Sequence, residues 1–391
     1  MCAASLDIEG CTTKPAHGNV IGKKINKVFI EGLVALLPAI GALFGEYDGK
    51  DVLRVVLGAI QEHDFIEGWT EEQRERGRHV PSGDLVHLRL RRLTKTDVVR
   101  AFEAMNEALI TQLEGLEPHR KPAHIAIDPH GMPFYGEYRG PEVCGGKHER
   151  GTSWVYKFAG LSVVSERRVM LHAIPMDQFS DKGQLIGELL GTARRFVKIR
   201  SVYLDKEFYS APCLRTLETS GERYIVPARM DKKLNEEKMR YKPLSRVVGT
   251  RGCSYHTVVR TVGRGKDAVD VQTVFLYRPE GEEDFVFVTN INVTDENVEI
   301  LAEDYGRRWG IETSFRMTEM ARGRTCSVSH AVRWLLHLLS VLLYNLWQLV
   351  DAMLIHVCGV ERKRYGYAIK MKGVLRWLGE LVVADGPGEA G

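Results

Sequence analysis

The sequence predicts a mixed α/β fold: a sheet flanked by helices, with a β-rich insertion late in the chain and a helical region at the N-terminus. Three observations point there. Strand-like and helical segments alternate from Ala123 to Gly221. Four β-rich runs separated by charged or Gly-containing turns crowd residues 223 to 292. Helical periodicity marks Asp51 to His63, Thr94 to Leu113 and the chain from Asp295 to Val357.

In chain order, Asp51 to His63 places Val52, Val55, Val56, Ala59 and Ile60 on one helical side. Ser82 to Leu93 reads two ways. Val86, Leu88 and Leu90 alternate like a strand, whereas Leu85, Leu88 and Arg92 suit a short helix. The next helix is firmer: Val98, Val99, Phe102, Met105, Leu109 and Leu113 share a face, and Thr94 with Asp97 makes a capping box. If the earlier segment is also helical, the pair is either a DNA-binding helix-turn-helix presenting Arg89, Arg91 and Arg92, or a plain helical hairpin. Pro118 to Pro122 is a linker. AHIAID reads as a strand ending at Asp128, followed by WVYKFAGLSVV, RRVMLHAI, a helix from Asp181 to Val197, SVYLD ending at Asp205, and a helix from Phe208 to Ser220. RYIVPARM, SYHTVVRTV, DVQTVFLYR and DFVFVTNI supply the β-rich insertion, and the tail after Asp385 is expected to be disordered. These patterns divide the chain at 1–118, 119–222, 223–294, 295–358 and 359–391.

At 391 residues, 44% hydrophobic and 27% charged, the chain supports a sizeable core and argues against wholesale disorder. A net charge of +3 does not by itself announce nucleic-acid binding. Basic clusters do occur at Arg89, Arg91 and Arg92, at Arg194, Arg195, Lys198 and Arg200, and between Glu361 and Lys372. A solvated face is the ordinary explanation for any one of them. Seven cysteines, irregularly spaced and without a CxxC, suit reduced thiols in a cytoplasmic protein and neither a disulfide scaffold nor a zinc site. No signal peptide is expected. Two apolar stretches raise the alternative of a membrane protein. Val28 to Phe44 is short and broken by Glu31 and Pro38. Trp334 to Val350 carries His337, Ser340, Asn345 and Gln348 along one side, as a core helix with one polar stripe would.

Three acidic residues stand out by position. Asp128 and Asp205 end strands, where open sheets place functional groups. Glu312 lies within a helix on the face shared by Tyr305, Arg308, Arg316 and Glu319. Phosphodiester chemistry suits such a set, because hard carboxylate oxygens hold divalent cations and a nearby guanidinium stabilises developing negative charge. Each also has a structural alternative. Asp205 could cap the following helix, Glu312 could form a surface ion pair with Arg308, and Tyr305 could be core.

The segment YGRRWGIETSFRMTEM resembles the Tyr-Arg-Glu-Lys signature of DDE transposases encoded by bacterial and archaeal insertion sequences, through Tyr305, Arg308 and Glu312 at the family's spacing. AIDPHG and VYLDKEFYS resemble the segments carrying that family's first and second Asp, and the resemblance runs from about residue 120 to 355. It implies a ribonuclease H-like mixed sheet, two Mg²⁺ ions (with Mn²⁺ able to substitute) on Asp128, Asp205 and Glu312, and DNA-backbone contacts from Tyr305 and Arg308. It further implies double-stranded DNA as partner, a homodimer in the synaptic complex and no membrane. Two features depart from the pattern. Glu319 stands where the signature has Lys, so Arg316 or Arg322 is expected to supply the cation. Residues 223 to 292 lack the Trp against which some relatives flip a base; Tyr255, Phe275 and Tyr277 are either stacking groups or core. A non-transposing nuclease on the same core, and a decayed DNA-binding derivative, are the rival readings.

Overall fold

Helix starts are written plainly in the first part of the chain. The computed structural model describes residues 29, 32, 46–119, 121–137, 140–149, 151–165, 167–248, 252–362 and 366–384. Apart from Phe29 and Gly32, the apolar stretch Val28 to Phe44 lies outside the described residues, as does the tail from residue 385. Helix α1 (Gly49–Glu62) opens on a capping box: the amides of Lys50 and Asp51 donate to Asp48 Oδ1, and the Asp48 amide donates to Asp51. Helix α2 (Ile66–Glu75) lies so close to α1 that a Cβ at Gly58 would meet the Trp69 ring at 2.2 Å. Helix α3 (Gly83–Leu90) is N-capped by Ser82, which resolves the ambiguous segment as helix. Helix α4 (Lys95–Leu116) starts on the expected Thr94–Asp97 box and buries Val98, Phe102, Met105, Leu109 and Leu113.

Helices α3 and α4 have helix-turn-helix connectivity, yet Arg89 does not face out. It is buried, and its guanidinium donates to the carbonyls of Tyr47 (2.7 Å) and Asp48 (3.3 Å). Leu90 and Leu93 are buried beside it, so Arg89 shares the inward face of the hairpin, while Arg91 and Arg92 are exposed. Arg89→Ala should therefore lower stability by about 1–3 kcal/mol, the scale for losing the hydrogen bonds of a buried charged group. Arg91→Ala and Arg92→Ala should melt with the wild type. Equal melting temperatures for all three would show that Arg89 has no structural role.

The chain divides into two compact units: residues 1–118 with 314–391, and residues 119–313. The second unit holds the sheet. Its elements are β1 (Ala123–Pro133), β2 (Val143–Glu149), β3 (Thr152–Val164), β4 (Arg168–Met176), α5 (Lys182–Phe196), β5 (Ile199–Leu204), α6 (Ala211–Ser220), β6 (Tyr224–Pro227) and α7 (Lys232–Tyr241). They continue with β7 (Arg246–Val248), β8 (Cys253–Val262), β9 (Val269–Tyr277), β10 (Phe285–Thr289) and α8 (Val298–Tyr305), then the first turn of α9 (Trp309–Glu319). The ten strands form one sheet in the order β2-β3-β1-β5-β6-β10-β9-β8-β7, with β4 pairing beside β2 on the same edge of β3. Strands β1, β5 and β6 are parallel, joined through α5 and α6, because parallel neighbours require crossovers. This is a mixed sheet flanked by helices, consistent with a ribonuclease H-like fold.

The β-rich stretch does not form a sheet of its own. Strand β10 pairs antiparallel with β6, and β9, β8 and β7 extend the same sheet. Within it lies α7, capped by Asp231 and seated by Leu234 on a cluster of Ala228, Phe275, Tyr277 and Val286. Phe275 and Tyr277 are thus core, and the Tyr255 hydroxyl donates to Asp295 at 2.8 Å.

The first unit is completed by α10 (His330–His356) and α11 (Met371–Ala384). Helix α10 is long and apolar enough to cross a membrane by length and composition, but 94% of its most apolar window is buried. It packs along α4, and its polar stripe is used inside the unit. Asn345 donates to Asn106 (2.6 Å), and Asp351 accepts from the amides of Ala368 and Ile369. A buried stripe with such partners is what a core helix requires.

Candidate active site

Strand register brings the first two carboxylates side by side. In the parallel pair β1–β5, Ile127 lies beside Leu204, and the Asp205 amide donates to the Ile127 carbonyl at 3.2 Å. The next residues are Asp128 and Asp205, on strands about 4.8 Å apart. Asp205 ends β5 as expected. Asp128 does not end β1, which runs on to Pro133 paired with β3 alone. Gly131 and Pro133 lie past the point where β5 stops, and Pro is tolerated in a strand that lacks a neighbour on one side.

Asp205 caps the turn that precedes α6 and not α6 itself, which begins at Ala211. Its Oδ1 caps the turn at Lys206–Phe208 by accepting from the Glu207 amide (2.7 Å), and its Oδ2 faces Arg308. The turn is clamped from two sides. Lys157 of β3 donates to both Glu207 oxygens (3.0 and 3.1 Å), and Lys182 of α5 donates to the Glu207 carbonyl and carboxylate. The Glu207 carboxyl lies below its ordinary range; burial pushes it up, and the two lysines together outweigh that. Nothing in the sequence marked this clamp, because Lys157 and Lys182 are distant from Glu207 along the chain.

Helix α9 supplies the third carboxylate. Its start approaches β3 and β4 so closely that a Cβ at Gly310 would lie 3.2 Å from Val164 and Arg168. Tyr305 sets the preceding segment: its hydroxyl donates to the Leu204 carbonyl at 3.1 Å, and its ring stacks on Phe285 and meets Tyr203 edge-on. Tyr305 is buried, so its hydroxyl serves the end of β5, one residue before Asp205.

Arg308 stands among the carboxylates. Its Nη1 donates to Asp128 Oδ1 and lies 3.9 Å from Asp205 Oδ2, while Nη2 lies 2.8 Å from Glu312 Oε1. All three acids therefore converge on one buried guanidinium. One positive charge does not balance three negative ones. Burial pushes the Asp128 carboxyl up to about 7, Asp205 and Glu312 add to the rise, and Arg308 opposes it. The guanidinium lies 5.6 Å from the Tyr305 ring and 5.7 Å from that of Trp309, which is 60% exposed. Sequence reasoning missed Trp309, whose one signal is its place beside Arg308.

Arg316 and Arg322 lie in the first unit. Arg316 is exposed, and Arg322 is ion-paired with Glu319 at 2.6 Å, so the residue in place of the signature Lys holds one of its two candidate substitutes.

As a donor set the three carboxylates suit a divalent cation: hard oxygens from two strands and a helix, turned toward positive charge. Among the described residues, no three His, Cys, Asp or Glu side chains are close enough together to hold one ion as they stand. Arg308 occupies the space between them.

The fold and site define the class, and comparison with known proteins agrees. Residues 119–346 match the family model described as the transposase DDE domain, so the chain belongs to that family. Divalent metals are general in the family. No curated protein matches the sequence. Among solved structures the chain is similar to the piggyBac transposase in a synaptic complex with hairpin DNA, at 14% identity and a TM-score of 0.53, covering 95% of this chain and 82% of that one. At that identity the likeness speaks for the fold.

Proposed function

We propose that this chain is a transposase of the Tyr-Arg-Glu-Lys branch found in bacterial and archaeal insertion sequences. It would cut DNA at the element's ends and transfer the freed 3′-hydroxyl to target DNA. The observation that carries this reading is the convergence of Asp128, Asp205 and Glu312 on a single cationic group, within a chain of the DDE family. In this reading the three carboxylates hold two Mg²⁺ ions, with Mn²⁺ as substitute, which when bound would polarise the scissile phosphate and stabilise the attacking and leaving oxygens.

The chain's own residues do the rest. The β1–β5 register and the Lys157–Glu207–Lys182 clamp hold Asp128 and Asp205 in place. Tyr305 ties the helix-bearing segment to the end of β5. Arg308 is the group available to a phosphate oxygen at the site, because a guanidinium pairs with phosphate as readily as with carboxylate. Arg91, Arg92 and Arg316 are exposed cations that would contact the DNA backbone. The solved structure that this chain resembles is a synaptic complex with hairpin DNA; in the proposed reading this chain acts as a homodimer on paired DNA ends, in the cytoplasm.

Product analysis on DNA carrying the element's ends tests the function. Mg²⁺-dependent nicks followed by joined products are expected. Cutting without joining would make the protein a nuclease, and binding without cutting would make it a decayed derivative.

A further inference from the structure

Arg308 makes a demand on the site that the carboxylates alone do not reveal. The oxygens it engages on Asp128, Asp205 and Glu312 are those a cation would use, and its side chain fills the space between them. A guanidinium keeps its charge at any ordinary pH, so it cannot make way by losing a proton; it has to move. Its present position is also incompletely satisfied. Arg308 is 7% exposed, and its Nε is buried without a hydrogen-bond partner. A buried donor left unpaired is costly, so this position is opposed even as the ion pairs favour it.

We propose that Arg308 is a resident counter-cation that competes with divalent metal for the three carboxylates, so that metal entry and withdrawal of the guanidinium are one coupled event. The inference rests on the carboxylates being the metal ligands. Its consequence is that the protein alone holds metal weakly. Anything that draws Arg308 aside, a DNA phosphate above all, strengthens metal binding, and by linkage metal strengthens the hold of Arg308 on that phosphate. Arg308 acts here as a positioning residue.

Mn²⁺ titration of the DNA-free protein, followed calorimetrically, tests this. Arg308→Met keeps an apolar stem and removes the competing charge. It should bind Mn²⁺ at least about tenfold more tightly than wild type, because ion-pair competition of about 1.4 kcal/mol already amounts to that factor. Affinity equal to or weaker than wild type overturns the proposal. Asp128→Asn and Glu312→Gln, titrated in parallel, separate the two readings. If they keep wild-type Mn²⁺ affinity, the ligand assignment fails; if they lose it while Arg308→Met is unchanged, the competition alone fails.

A second measurement needs no Arg308 variant. Withdrawal of the guanidinium from its place 5.7 Å from the Trp309 ring should change tryptophan emission when Mg²⁺ is added to wild type, and Trp309→Phe should lose that change. An identical response in wild type and Trp309→Phe counts against withdrawal.

Discussion

Asp128→Asn, Asp205→Asn and Glu312→Gln should each lower Mg²⁺-dependent strand cleavage by at least about 10²–10³-fold, the scale on which removing one preorganised electrostatic group slows a reaction. Each substitution is nearly isosteric and removes one proposed charged ligand while keeping a polar side chain. Binding to DNA ends should persist, since in the proposed reading it draws on other arginines and on phosphate contacts that depend on salt. The three need not fail alike in other respects. Asp205 also caps the turn held by Lys157 and Lys182, and Asn keeps the carbonyl oxygen that can accept from the Glu207 amide. Asp205→Ala would lose both the ligand and the cap, so it should melt lower than Asp205→Asn while being equally inactive. Cleavage at wild-type rates by any of the three conservative variants removes that residue from the site.

Local chemistry is legible in the sequence, and pairing is not. The Thr94–Asp97 box, the polar stripe of α10 and the strands around Asp128 and Asp205 follow from side-chain period and capping chemistry, which act within a few residues. Helix α7 is readable in principle, since Asp231 caps a run of strong helix formers, but it is submerged in a stretch dominated by strands. Strand β2 carries Gly145 and Gly146, which dilute the alternation that marks a strand. Other features depend on contacts between distant segments. The β1–β5 register, the joining of β10 to β6, the burial of Arg89 against Tyr47 and Asp48, and the arrangement of three carboxylates around Arg308 are set by tertiary packing. The spacing of Arg308 and Glu312 shows that they share a helical face. It does not show that Asp128 and Asp205 meet the same guanidinium.

The crowding of charge at Asp128 has a measurable consequence for stability. Its carboxyl titrates at about 7 in the folded protein, raised first by burial and then by Asp205 and Glu312 against the pull of Arg308, compared with an ordinary value of 3.8. A folded-state value above the unfolded one means that the native protein keeps a proton the unfolded chain has released. Between about pH 4 and 7, folding therefore takes up a proton, and stability falls as pH rises through that window. In the presence of a chelator, wild type should lose on the order of a few kcal/mol between pH 5 and 8 from this residue, since a tenfold difference in proton affinity between the folded and unfolded chain is worth about 1.4 kcal/mol. His172 pulls the other way: burial holds its imidazole at about 4, so its contribution rises with pH from 4 to 6.5. That contribution is common to wild type and Asp128→Asn and cancels in their difference. Thermal melts of the two across pH 5 to 8 should thus diverge, with the Asn variant the more stable at the alkaline end. Parallel pH profiles would mean that Asp128 is ionised throughout and that Arg308 already balances it. A divalent cation on the same oxygens favours the ionised carboxylate. Mg²⁺ should therefore flatten the wild-type profile and leave that of Asp128→Asn nearly unchanged.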